Sequence, residues 1–243
     1  MTTYFQVEGI VIHTREFGEK DALLTLITKE RGKLSIICKG VKKPVSRMRS
    51  AAQLFTHARF FLYEGKSLAT ATQAQSLENF KTISTDLTKF AVASYWAELL
   101  ELVIPEREMN YHAYLLTLKS LRLLDENFTW ALFFAFQFKL LTITGYQPVI
   151  DQCTACGAEL NNEIYLSVSQ GGTLCSICAK GSRRVTEGTI QSLRLFKTAS
   201  LEMITKLKLS SIVHRELKVF LREYIEYHTE TRLRSAEFLA SIE

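Results

Sequence analysis

The amino-acid sequence predicts an α+β protein of several domains, with a small N-terminal β-barrel, a helical remainder and a four-cysteine metal element. Three observations predict this class. The first 80 residues break into short runs rich in Val, Ile, Phe, Tyr and Thr, with glycines between them. Beyond about residue 80, apolar residues recur at helical spacing. Two Cys-x2-Cys pairs, Cys153/Cys156 and Cys175/Cys178, stand 18 residues apart.

Strands are expected over residues 4–13, 22–28, 34–38, 53–63 and 67–75, punctuated by Gly18, Gly32, Gly40 and Gly65. Apolar and polar residues alternate in Leu24-Thr25-Leu26-Ile27-Thr28 and in Leu68-Ala69-Thr70-Ala71-Thr72, as a half-buried strand requires. Five short strands in so little chain favour a closed barrel, because closure removes exposed edges. An OB-fold answers this description, and by strand count alone so does an SH3-like barrel.

The first helix is expected after Asp86, a suitable N-cap, with Phe90, Ala93, Ala97, Leu100 and Ile104 on one face and Pro105 as its stop. Tyr111, Tyr114, Leu115, Leu118 and Leu121 mark a second. A third spans 128–144 and ends at Gly145. It is apolar all round, but Gln137 and Lys139 interrupt it, and it falls short of the roughly 20 residues a membrane span needs. A buried bundle helix is therefore expected. Val213, Leu217, Phe220, Leu221, Tyr224 and His228 mark one more amphipathic helix.

The 243 residues, 47% hydrophobic and 23% charged, suffice for real cores, and only three prolines leave little room for a disordered linker. No internal repeat or low-complexity segment occurs. Residues 1–10 lack a basic start followed by an apolar run, so a cytoplasmic protein is expected.

Charge is unevenly placed. Residues 1–80 hold 12 Lys and Arg against 7 Asp and Glu, whereas residues 81–243 hold 18 of each, so the whole net charge of +5 belongs to the first third. No acid occurs between Glu30 and Glu64, while Arg31, Lys33, Lys39, Lys42, Lys43, Arg47, Arg49 and Arg59 all do. Such a stretch attracts polyanions, and an ordinary solvated loop is the plainer alternative. Residues 39–49 join two expected strands, where flexible Lys and Arg can track a phosphate backbone. Phe5, Phe17, Phe55, Phe60, Phe61 and Tyr63 are candidate stacking platforms, about half of which alternation must place in the core.

The cysteine pairs have the spacing of a four-thiolate zinc site, each pair supplying two ligands from one tight turn. Gly157, Gly171 and Gly172 supply the left-handed turns such knuckles need. Disulfides are disfavoured in the cytoplasm, and no strand–helix–strand pattern supports a thioredoxin-like pair. One structural zinc per chain is expected, because four cysteines leave no open coordination position. Cys38 is expected to be a small core residue.

Catalytic signatures are absent: no P-loop, GxSxG, HExxH or glycine-rich dinucleotide fingerprint occurs. The five histidines form no ligand pair, and His57 and His112 read as surface or capping residues.

Several segments together resemble the RecO family. They are Gly9-Ile10-Val11, Arg15 through Asp21, Leu24 through Thr28, Gly32-Lys33, Lys39 through Pro44 with Ser46-Arg47, Gly145-Tyr146-Gln147-Pro148, the cysteine pairs with Gly171-Gly172, and Arg234 through Leu239. The resemblance implies an N-terminal OB-fold over 1–80, a helical domain over 81–150 and 185–243, and a zinc element inserted at 151–184. It implies a non-enzymatic mediator that binds single- and double-stranded DNA, anneals complementary strands, and works with RecR and single-stranded DNA-binding protein to load RecA. The expected DNA contacts are Arg15, Lys33, Lys39, Lys42, Lys43, Arg47 and Arg49. Relatives that hold the acidic tail of single-stranded DNA-binding protein use arginines before the Gly-Tyr pair, whereas Phe133 through Lys139 here contains none. The alternative function is a non-catalytic zinc-containing scaffold or regulator acting mainly through protein contacts.

Overall fold

The first strand serves two neighbours. β1 (Tyr4–Phe17) pairs antiparallel with β4 (His57–Tyr63) through its first half and with β2 (Asp21–Thr28) through its second, bending at a bulge between Val11 and His13. β2 pairs with β3 (Gly32–Cys38), and β5 (Ala69–Glu78) runs antiparallel to β4 and parallel to β3. The computed structural model, which describes residues 3–65, 67–161 and 163–242, thus has a closed barrel of order β1-β2-β3-β5-β4. That order, with β1 paired to both β2 and β4, is the OB arrangement. Its interior follows the period of two: Val7 and Val11, Leu24 and Leu26, Leu34 and Ile36, Phe60 and Leu62 point inward, and Cys38 joins them as a core residue.

Two departures from the expected strands have physical causes. The run 53–63 becomes a strand only at His57, because Phe55 takes a left-handed φ of 62°. That kink lets Phe55 N donate to Val11 O at 2.8 Å and Val11 N donate to Thr56 O at 3.0 Å, across the β1 bulge. In addition, β3 and β5 pair only from Ile36↔Ala69 to Cys38↔Ala71. The open edge of β3 is taken by a segment from elsewhere: Lys33 bridges Glu106, Arg107 N donates to Lys33 O, and Ser35 N donates to Glu106 Oε1. Gly32 allows this approach, since a Cβ there would lie 1.7 Å from Glu108 O.

The chain divides into two compact units, one reaching Glu126 and regaining the chain from Ser235, the other spanning Asn127–Arg234. In the first, α1 (Lys81–Thr85), α2 (Leu87–Val103) and α3 (Tyr111–Glu126) join the barrel. Asp86 caps α2 as expected, accepting from Lys89 N at 3.0 Å. A polar network ties α3 to the barrel. His57, at 5% exposure buried rather than on the surface, meets Tyr114 OH at 2.9 Å and Glu8 at 3.1 Å, while Arg122 forks onto Glu78. α8 (Arg234–Ala240) is tied to α2 by Ser235 N, which donates to Glu98 at 2.8 Å.

In the second unit α4 (Trp130–Ile143) is capped by Thr129 and buries ten side chains, including Phe133, Phe134, Phe136 and Phe138. At about 1.5–3 kcal/mol per large apolar side chain, this helix is the unit's main apolar investment. Around it lie α5 (Glu187–Thr198), α6 (Leu201–Ile204) and α7 (Ser211–Thr229). Lys139, half-buried, donates to Ala199 O at the end of α5. Between α4 and α5 a three-stranded sheet forms from β6 (Ile164–Ser167), β7 (Gly172–Cys175) and β8 (Arg183–Val185) in the order β7-β6-β8. Among the described residues no helix is long and apolar enough to cross a membrane.

Candidate nucleic-acid interface and metal centre

The small sheet positions the cysteines. Cys175 ends β7, and Cys178 follows in a turn closed by Cys178 N donating to Cys175 O. Cys153 and Cys156 form the facing turn, closed by Gly157 N donating to Cys153 O at 2.8 Å, with Gly157 at φ 73°. Thr173, fully buried, ties the two halves: its carbonyl accepts from Thr154 N, and its hydroxyl donates to Gln152 O at 2.8 Å. Gly171 and Gly172 do different work from that expected. Gly171 ends the β6–β7 turn, and Gly172, the first residue of β7, lets Val149 approach so closely that a Cβ would lie 2.1 Å from Val149 O.

The four Sγ atoms lie within 4.8 Å of one another, and Cys156 and Cys175 are 3.9 Å apart. A tetrahedron with metal–sulfur bonds of about 2.3 Å has sulfur–sulfur edges of about 3.8 Å, whereas a disulfide needs about 2.05 Å. All four are free thiols, on a minimal antiparallel sheet without the helix of a thioredoxin-like pair. The set therefore fits a soft divalent cation. Electrostatics agree. The backbone N–H of Cys175 outweighs burial and, with those of Cys156 and Ala155, lowers the Cys153 thiol to about 6. The neighbouring thiols of Cys156 and then Cys175 push Cys178 up to about 12. The Cys153 thiolate forms readily while Cys156 and Cys178 resist, so a cation is what would allow the cluster to ionise together. With four thiolates the coordination sphere is closed.

The second candidate site is one end of the barrel. The β1–β2 hairpin projects His13 through Lys20 into solvent, with Arg15 and Phe17 exposed. The 39–49 loop lies against it: Gly40 N donates to Asp21 Oδ1 at 2.7 Å and Lys42 N to Lys20 O at 3.1 Å. The loop is a train of turns, with Lys43 N donating to Gly40 O, Ser46 N to Lys43 O and Arg49 N to Ser46 O. Val41, Ala51 and Ala52 anchor it in the barrel core, and Met48 packs on that core.

Lys39, Lys43, Arg47 and Arg49 are exposed along this train. Lys42 is half-buried and paired with Glu16 at 2.6 Å, which holds the Glu16 carboxyl below its usual range. Lys33 is turned away from solvent, its ammonium donating to Glu101 O in the last turn of α2. Of the aromatic candidates, Phe55 and Phe60 are core, Phe5 lies under the Arg31 guanidinium at 3.7 Å, Tyr63 is half-buried, and Phe17 and Phe61 are exposed. Tyr4, 71% exposed beside Tyr63, escaped the sequence reading; alternation with the inward Phe5 would have found it. Lys20, brought to the loop by the hairpin register, was also missed.

Comparison with known proteins places this architecture. Residues 1–80 match the family model "Recombination protein O N terminal", and residues 84–237 match "Recombination protein O C terminal". A DNA repair protein RecO of Pelotomaculum thermopropionicum is 35% identical over 238 residues, covering 97% of this chain and 93% of the relative. Those of Symbiobacterium thermophilum (34% identical, covering 98% of this chain and 97% of the relative) and Moorella thermoacetica (33%, covering 100% and 92%) are similar along comparable lengths. With an OB-type barrel, a helical second unit and matches along nearly its whole length, the chain belongs to the RecO family of DNA repair proteins.

Proposed function

We propose that this protein is a non-catalytic mediator of recombinational repair in the cytoplasm. It binds single- and double-stranded DNA through the barrel end, anneals complementary strands, and helps to load RecA together with RecR and single-stranded DNA-binding protein. The observation that carries the reading is the row of exposed cations Lys39, Lys43, Arg47 and Arg49 on an anchored train of turns, beside Arg15, on an OB-type barrel of this family. Cations without fixed base-edge geometry suit phosphates, so recognition is independent of sequence. Lys42 belongs to the same group at its margin, already paired with Glu16, whereas Lys33 stands at the opposite end of β3, beside the β2–β3 turn, with its ammonium engaged by Glu101 O.

Zinc is the metal that four thiolates in tetrahedral reach select, and its role is structural. The decisive experiment is annealing of complementary strands coated with single-stranded DNA-binding protein, with and without this chain. Acceleration is expected, and none should remain when Lys39, Lys43, Arg47 and Arg49 are all alanine. Unaccelerated annealing, together with DNA affinity indifferent to salt, would favour the scaffold function instead.

A further inference from the structure

The second unit carries a basic surface of its own. Residues 203–222 contain Lys206, Lys208, Arg215, Lys218 and Arg222 and one acid, Glu216. That acid is directed elsewhere: Glu216 Oε2 accepts from Thr186 N at 2.9 Å and from the Thr186 hydroxyl at 2.8 Å, at the start of α5. On α7, Arg215, Lys218 and Arg222 stand at i, i+3 and i+7, which places them on one face over about 10 Å of helix, and Glu226 at i+11 ends that face with an acid. Arg215 and Arg222 are exposed and Lys218 half-buried, while Val213, Leu217, Phe220 and Tyr224 hold the opposite face in the core.

A pocket opens at the N-terminal end of this stripe. Trp130, Ala131, Leu207, Leu209, Ser211 and His214 enclose about 340 Å³. The half-buried Trp130 ring lies 4.9 Å from the His214 ring between centroids, tilted by 46°, with Phe134 stacked at 6.3 Å and Phe128 and Phe133 in edge contacts at 5.0 and 5.5 Å. Lys206 and Lys208 flank two lining leucines in sequence, and both are exposed. An aromatic surface continuous with a line of cations is the pairing that single-stranded nucleic acids exploit, a base on the ring and successive phosphates along the charges.

We propose that this α7 surface is a second single-strand-binding site, with one base stacking at Trp130 and the following phosphates meeting Arg215, Lys218 and Arg222. The site rests on the nucleic-acid reading given above and adds a second strand-holding surface, so that each compact unit carries one. A protein with two such surfaces holds two strands at once, the physical requirement of annealing.

The test uses intrinsic fluorescence of the full-length chain, which has two tryptophans, of which Trp96 is 1% exposed. Titration with oligo(dT) is expected to quench the emission through Trp130, and Trp130→Phe is expected to abolish the quench. The variant R215A/K218A/R222A is expected to lose the quench and to flatten the salt dependence at this site by about 2 units. Alanines at Lys39, Lys43, Arg47 and Arg49 should leave the quench in place. If the wild-type chain binds oligo(dT) without Trp130 quenching, and the α7 variant binds with unchanged stoichiometry, the proposal is overturned while the barrel reading stands. If the chain binds no single-stranded DNA at all, both fall together. A glutamate-rich peptide that quenches Trp130 where oligo(dT) does not would also overturn it, assigning the surface to an acidic protein segment.

Discussion

Replacing Lys39, Lys43, Arg47 and Arg49 together by alanine is the perturbation that most directly examines the barrel end. Each phosphate of a single strand that no longer meets a cation lowers the log–log salt slope by about 0.7, so four such phosphates give about 2.8. Between 50 and 200 mM salt that slope corresponds to about 50-fold in affinity, the sensitivity the variant should lose. Lys42 supplies an internal control. Glu16 at 2.6 Å already acts as its counterion, so Lys42→Ala should change the slope by well under 0.7. Glu16→Gln should do the opposite, releasing Lys42 to steepen the slope by up to about 0.7 and tighten binding about fivefold at 0.1 M salt. Fluorescence anisotropy of a labelled oligonucleotide at four salt concentrations reads all of these. The substituted residues are exposed, so stability should change by less than about 0.5 kcal/mol per site, checked by thermal melting. A folded quadruple variant with the parental slope would refute the reasoning, and so would a Lys42→Ala effect as large as that of Lys43→Ala.

Three further outcomes are expected. Metal analysis of untagged protein should find one zinc per chain, and Cys175→Ser should remove it with a clear fall in melting temperature; four freely titrating thiols in the parent protein would contradict this. Gly172→Ala sets a methyl against the Val149 backbone and should cost about 2–3 kcal/mol, seen as a melting temperature lower by about 4–12 °C. Burial lowers the His57 pKa below its ordinary 6.5, outweighing the pull of Glu8 and Glu78. The unfolded chain therefore takes up this proton first, so stability should decline as pH falls from 6.5 through the folded value, and His57→Gln should flatten that decline in urea titrations.

What was legible in the sequence is what is encoded locally. Alternation revealed the barrel strands, and Asp86 and Gly145 marked helix ends, because each signal needs only a few neighbours. The cysteine pairs were legible because their spacing is itself geometry. What depends on distant partners was not. The strap through Glu106 that completes the barrel edge has no local pattern of its own. The positive stretch was visible as composition, but the partners of its cations were not: Lys33 donates to the backbone carbonyl of Glu101, 68 residues away, and Lys42 is paired with the Glu16 carboxylate, 26 residues away. β6, β7 and β8, of four, four and three residues, are too short for periodicity to register. α5 was readable from Ile190, Leu193 and Phe196 at intervals of three, all fully buried, although no individual helix was picked out there within the expected helical domain.

The shortness of those strands bears on what the metal does. A sheet of three strands with at most four residues each has too little apolar surface and too few ladder bonds to persist alone. The cysteine cluster adds only Leu174 and Ala179 as buried apolar neighbours, with Leu160 and Tyr165 at its rim. A cation held by the four thiolates would therefore supply much of its folding free energy, as in other small metal-held modules. The consequence reaches α7 within the same unit. Arg183 of β8 approaches Glu223 of α7 at 3.7 Å, and Glu216 of α7 accepts from Thr186, directly after β8. These contacts engage Glu216 and Glu223 on one flank of α7, away from the face that carries Arg215, Lys218 and Arg222 together with Glu226. A metal at the cysteines would thus help to order the segment that holds Glu216 and Glu223 of α7.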